Sequence, residues 1–198
     1  MSYQRTEWAQ LPTEAREAVE RHTGQVLSAR SAETGVMSAF AGMLDTRHGS
    51  VFVKAVPTDS PTAWVHRHEA RVTAVAPLAP ALLWQAEGGG WSLYGYGALA
   101  GRPPSFATGS QDLRPLVYAL TVASGHPWPI EISKKPLSDR LARFVPPGGE
   151  GALDGRTPAH TDAGEFNLLV TGPVSGFSTG RCPVRGRSGR TLPCWCPG

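Results

Sequence analysis

The chain has 198 residues, 40% of them hydrophobic and 18% charged, so it can bury a sizeable core. No apolar run is long enough to span a bilayer and Met1-Ser2-Tyr3-Gln4-Arg5 lacks the apolar core of a secretion signal, so a cytoplasmic chain without membrane contact is expected. The net charge of +3 belongs to the last segment, which holds Arg181, Arg185, Arg187 and Arg190 and no acid; the remainder is close to neutral and has no basic stripe, which argues against a nucleic-acid partner.

From the N-terminus, Pro12-Thr13 followed by residues 14–21 reads as a surface helix. Residues 25–31 and 38–44 carry strand patterns on either side of a loop, residues 33–37, in which Gly35 suits a turn. Thr46-Arg47-His48-Gly49 is a second turn, and residues 50–56 form a β-rich run with one lysine, Lys54, among apolar and small neighbours. Ser60 can cap a helix with Pro61 in its first turn, running through Val65, Val72 and Val75 to Pro77, with Glu69 in its middle. His66 and His68 flank Glu69 at a spacing unsuited to a shared metal, and both read as polar helix positions. Residues 81–85 and 91–96 make a hairpin around Gly88-Gly89-Gly90. Residues 101–109 are a Pro/Gly connector, Ser110 opens a helix through Leu113, Leu116, Val117 and Leu120, and residues 138–144 give a second, short one. Trp8, Trp64, Trp84, Trp91 and Trp128 read as core or surface anchors.

The chemistry concentrates in His160-Thr161-Asp162-Ala163-Gly164-Glu165-Phe166-Asn167, followed by the apolar Leu168-Leu169-Val170. An Asp near a substrate hydroxyl can accept its proton, and an Asn five residues later can return from the end of the same loop to ligate Mg²⁺ on nucleotide phosphates. The two tasks need different groups: a basic carboxylate orients the nucleophile, whereas a neutral amide oxygen ligates the metal without adding charge beside the transferring phosphoryl group. His160 suits bracing the loop rather than carrying a proton.

Together these segments resemble the aminoglycoside phosphotransferase family, the choline-kinase-like small-molecule branch of the protein-kinase-like fold, over residues 25–170. The family's His-x-Asp-x-x-x-x-Asn loop is matched by His160, Asp162 and Asn167, and its strand lysine by Lys54. The resemblance implies an α+β, protein-kinase-like fold: a small antiparallel β lobe over residues 1–97 and an incomplete, mainly helical lobe over residues 98–171, followed by an irregular tail, residues 172–198. It implies ATP (or GTP) and Mg²⁺ as cofactors, Lys54 held by Glu69 and holding phosphates, Gly35 and Ser38 at the phosphate loop, Tyr96 to Leu99 at the adenine, Asp162 as base and Asn167 on the metal. The partner implied is a small hydroxylated substrate, an aminoglycoside or another amine.

The pattern stops where the family places a second, metal-binding Asp on a strand soon after the Asn, because no Asp or Glu follows Glu165. The tail is instead rich in Gly, Pro and Arg and holds Cys182, Cys194 and Cys196, which form neither an even disulfide framework nor a plausible zinc set. If Phe177-Ser178-Thr179-Gly180 is encoded TTC-TCG-ACT-GGN, reading from the third base gives CTC-GAC-TGG, or Leu-Asp-Trp, the missing motif. A reading-frame change between Thr171 and Ser175 therefore accounts for both the tail's composition and the absent acid. Two functions follow as expectations: a phosphotransferase impaired by truncation, or a non-catalytic kinase-like remnant with weak or no nucleotide binding.

Overall fold

The computed structural model describes residues 5–32, 37–74, 76, 79–127, 132, 137–149, 164–171 and 177–178. Its organising element is a five-stranded antiparallel sheet: β1 (Val26–Ser31), β2 (Phe40–Thr46), β3 (Gly49–Pro57), β4 (Leu82–Gly88) and β5 (Trp91–Gly97), in the order β1-β2-β3-β5-β4. The molecule is thus α+β, as expected. Among the described residues no helix is long and apolar enough to cross a membrane.

The period-2 pattern of the strands gives the sheet two covered faces. Phe40, Leu44, Val51, Val53, Ala55 and Leu93 point to one side, against Leu11 and the Ala15-Ala18-Val19 stripe of α1 (Thr13–Thr23). On the other side Phe52, Tyr94 and Tyr96 pack with Ala70 of α2 (Ala63–Thr73). Both helices carry buried residues three and four apart, as an amphipathic helix laid on a sheet requires.

β4 and β5 are joined through Gly89 and Gly90, both at positive φ (56° and 76°), a conformation that suits a two-residue hairpin turn and that only residues without a Cβ adopt freely. The register shifts between Leu82 and Trp84, a bulge that sends neighbouring inward positions of one edge strand to opposite faces. Leu82 joins the Tyr96 cluster, while the Trp84 ring lies over Gly95 and stacks on His22 of α1 (5.0 Å between centroids). A Cβ on Gly95 would lie 2.2 Å from that ring, so here the glycine is needed for space.

The α2 start differs from the sequence expectation. Ser60 caps a turn rather than the helix: its N–H donates to the Pro57 carbonyl and its Oγ accepts from the Thr62 N–H, and the helix begins only at Ala63 through three-residue bonds from Ala63 to Ser60 and from Val65 to Thr62. The Ser hydroxyl is used locally, so the helical repeat starts later.

Beyond β5 the chain forms α3 (Leu113–Ser124) and the short α4 (Leu137–Leu141). Pro115 sits in the first turn of α3, where no intrahelical N–H is needed. Leu116 of α3 packs with Leu168 and Val170, so the segment after Asn167 is part of this second core. β6 (Leu169–Val170) pairs antiparallel with β7 (Phe177–Ser178), and Val170 also exchanges both backbone hydrogen bonds with Arg102 (2.7 and 3.1 Å). The expected irregular tail therefore contains a two-residue strand, because β6 offers an edge for it. Residues 181–198, with the three cysteines, lie outside the described residues.

Candidate functional site

Lys54 lies in the middle of β3, paired with Ala41 of β2 and Tyr94 of β5. Its neighbours Val53 and Ala55 face α1, so strand alternation turns Lys54 to the α2 side, where Glu69 stands. Lys54 and Glu69 are each 3% exposed, and Lys54 Nζ donates to Glu69 Oε1. Lysine and glutamate are almost never so fully buried unless paired, and the desolvation of two ions offsets much of their attraction. A pair of this kind holds one ammonium at one place in the fold more than it stabilises the fold. Nζ also lies 5.7 Å from the centre of the Tyr96 ring, within reach of its π face.

His66 stands three residues before Glu69 on the same buried stripe of α2. Its Nε2 donates to the Met37 carbonyl (3.0 Å), its ring stacks on Tyr94 (6.0 Å between centroids), and Nδ1 faces Glu69 Oε2 at 3.8 Å. Both histidines were read as polar helix positions, and His66 is in addition buried. The sequence did hold a signal: if Glu69 faces the sheet, the positions three before and four after it, His66 and Thr73, share that face, and both are buried. The Tyr94 phenol is pushed up from its ordinary pKa, chiefly by burial, so Tyr94 stays neutral beside the pair.

Tyr96, expected at the adenine, is fully buried on the α2 face, because β5 alternation puts it beside Tyr94 there. The residues that follow it open to a cleft of about 540 Å³ lined by Pro80, Ala81, Gly97, Ala98, Leu99 and Ala100. The Gly97 N–H donates to the Ala81 carbonyl (2.9 Å), which fixes the cleft's two walls.

Asn167 ends a single 3₁₀ turn, Glu165–Asn167, with its N–H donating to the Gly164 carbonyl (3.0 Å), and it is buried. The strand that follows is the one clamped to Arg102, five residues beyond the end of β5. Arg102 in turn makes a bidentate pair with Asp112 (2.7 and 2.9 Å), which also accepts the Ser105 N–H (2.9 Å). The Arg102 guanidinium, and then the Ser105 amide, hold the Asp112 carboxyl below its usual pKa. Asn167, the cleft and the head of α3 are thereby joined through Arg102.

Ser38 lies half-buried next to Met37. Gly35, His160 and Asp162 lie outside the described residues. The structure thus brings Lys54 and Glu69 together, adds His66, and ties Asn167 to the exit of the cleft. Among the described residues no group of three His, Cys, Asp or Glu side chains could hold a metal ion. Comparison of the chain with protein-family models, with curated proteins and with solved structures finds no match.

Proposed function

We propose that this chain carries the nucleotide-binding lobe and part of the catalytic lobe of a small-molecule kinase similar to the aminoglycoside phosphotransferases, with its chemistry impaired because residues 168–198 hold no metal-binding Asp. The observation that carries this reading is the buried Lys54–Glu69 pair, made by the third strand and the helix that follows it. A lysine held in this way presents a fixed positive charge to phosphates, the role the resemblance assigns to it.

The residues present fit a nucleotide. The cleft at Gly97–Ala100 has the size of a small-molecule pocket, and its backbone could meet a base edge. ATP or GTP would supply the transferable phosphoryl group. Asp162 would take the proton of the acceptor hydroxyl as its oxygen bonds to the γ-phosphorus and the bond to the bridging oxygen breaks.

The metal fits less well. Asn167 offers one neutral ligand, and no acid follows Glu165 to complete a Mg²⁺ site, so no step is derived through the metal. Phe177-Ser178, which begin the four-residue text whose offset reading gives Leu-Asp-Trp, pair with Val170 and Leu169 of β6. A second reading, a non-catalytic nucleotide-binding remnant, is favoured by the absence of that acid.

Calorimetric titration of the 198-residue chain with ATP and GTP, beside its Lys54→Ala variant, tests the reading. Binding is expected for the wild type and is lost with Lys54. Equal binding by both, or by neither, sinks it.

A further inference from the structure

β5 leaves the sheet at Gly97, whose N–H donates to the Ala81 carbonyl (2.9 Å), and the chain is next held at Arg102 by its two backbone bonds to Val170 (2.7 and 3.1 Å). Gly101 is pressed onto the same strand: a Cβ there would lie 2.7 Å from the Val170 carbonyl oxygen, so only glycine allows this approach. The stretch between, Ala98-Leu99-Ala100, belongs to no helix or strand, and no hydrogen bond joins its main chain to another described residue. It lines the cleft of about 540 Å³. Three successive residues therefore stand at the cleft with both flanks fixed and with main-chain donors and acceptors that the described fold does not use.

The side chains of the cleft supply shape without polarity. Among the described residues they are those of Pro80, Ala81, Ala98, Leu99 and Ala100, none of which donates or accepts a hydrogen bond. Pockets ordinarily choose between similar ligands through a few polar groups of fixed character. Adenine presents an amino donor beside a ring-nitrogen acceptor, whereas guanine presents a carbonyl acceptor beside a ring N–H donor, so a wall carboxylate or ammonium would favour one over the other. A main-chain edge offers N–H and C=O in alternation, and each base finds its partners one group apart along the same edge.

Alternatives elsewhere on the molecule carry less. The Ser28, Ser50 and Arg30 contacts to Asp45 are an exposed polar cluster, and Val117 and Val122 lie on an apolar stripe of α3 with nothing to say what covers it.

We propose that this cleft does not distinguish adenine from guanine, and that the chain takes both purine nucleotides with similar affinity because the base meets main chain alone. The inference rests on the nucleotide-binding reading above and settles a choice that the resemblance leaves open. A site with a dedicated hydrogen-bonding group rejects the ligand that cannot use it by about 10⁴-fold, because a buried polar group is then left unpaired; here each base has a partner.

The test is calorimetric titration of the full chain, its Lys54→Ala variant and its Ala98→Phe variant with ATP, GTP and inorganic triphosphate, with circular dichroism to confirm folding. ATP and GTP are expected to bind within about tenfold of each other, the effect of a single hydrogen bond, and both at least about tenfold tighter than triphosphate. Ala98→Phe fills the cleft and is expected to bring both nucleotides down together, to the affinity of triphosphate. A preference of more than about tenfold for either purine overturns the inference, since a group of fixed polarity must then face the base. Nucleotides bound no tighter than triphosphate, or unaffected by Ala98→Phe, also overturn it, because the base would then lie outside the cleft. In each of these cases, loss of binding in Lys54→Ala leaves the nucleotide reading standing. Should Ala98→Phe not fold, Ala100→Phe, at an exposed position of the lining, takes its place with the same expected and overturning outcomes. Wild type that binds ATP no better than Lys54→Ala fails the nucleotide reading itself, and the inference with it.

Discussion

A lysine buried at the centre of a sheet needs a partner for its ammonium, and this sets the response of Lys54 to mutation. Lys54→Met would leave the Glu69 carboxylate buried without its cation, a change that costs about 3–5 kcal/mol in comparable sites. Lys54→Met with Glu69→Met removes both charges and should return to within about 1 kcal/mol of the wild type, since apolar replacement of a buried pair is often neutral. Urea denaturation of the four chains reads the cycle; equal loss in single and double variants would mean that packing, not charge, is at stake. Asp112 gives a pH signature. Its folded pKa is depressed, so its contribution is complete above the unfolded value, 3.8, and is lost as pH falls through the folded one. The urea midpoint of the wild type should exceed that of Asp112→Asn by a constant margin from about pH 7 to 5, with the gap closing below about pH 4. A gap that persists in acid would place the effect elsewhere than in the Arg102 contact.

At the level of elements, the sequence was most readable where two periodicities met. The β-rich run of residues 50–56 and the helical pattern around Glu69 were each enough to place a strand and a helix, and the resemblance supplied the pair between them. Two things were not readable. The bulge between Leu82 and Trp84 leaves no composition signal, yet it decides which face each side chain joins. Tyr96 was placed at the adenine by the resemblance, but strand parity turns it to the α2 face, and the cleft begins one residue later. Gly95 is the sharpest test of this packing. Gly95→Ala pushes a methyl into the Trp84 ring and should cost about 1–3 kcal/mol or more, and a companion Trp84→Leu should recover part of that loss by making room. Thermal denaturation of the single and double variants decides it: a Gly95→Ala chain as stable as the wild type would mean that the Trp84 ring moves aside at no cost.

For the whole molecule, the chain as written should show little or no phosphoryl transfer, whereas the frame-restored chain should be active and its Asp162→Ala variant at least 10²-fold slower, as loss of a general base implies. Assays against aminoglycosides and other hydroxylated amines check this: robust turnover by the 198-residue form would end the truncation argument, and an active restored chain indifferent to Asp162 would end the catalytic assignment. The His160–Asn167 motif was the most legible in the sequence, yet only its Gly164–Asn167 end lies among the described residues. The strand order has a further consequence, for kinetics. β1, β2 and β3 are successive hairpin neighbours, and β4 and β5 close on the Gly89-Gly90 turn, so both units can form from local contacts. Joining them sets Lys54 opposite Tyr94, about 40 residues away, and pays the largest loop-closure entropy in the sheet. Until that step the lysine has only a solvated helix beside it. Contact order thus predicts that the buried pair is assembled last, and a ligand that bound it would stabilise the docked sheet while leaving the two hairpins' own formation rates unchanged.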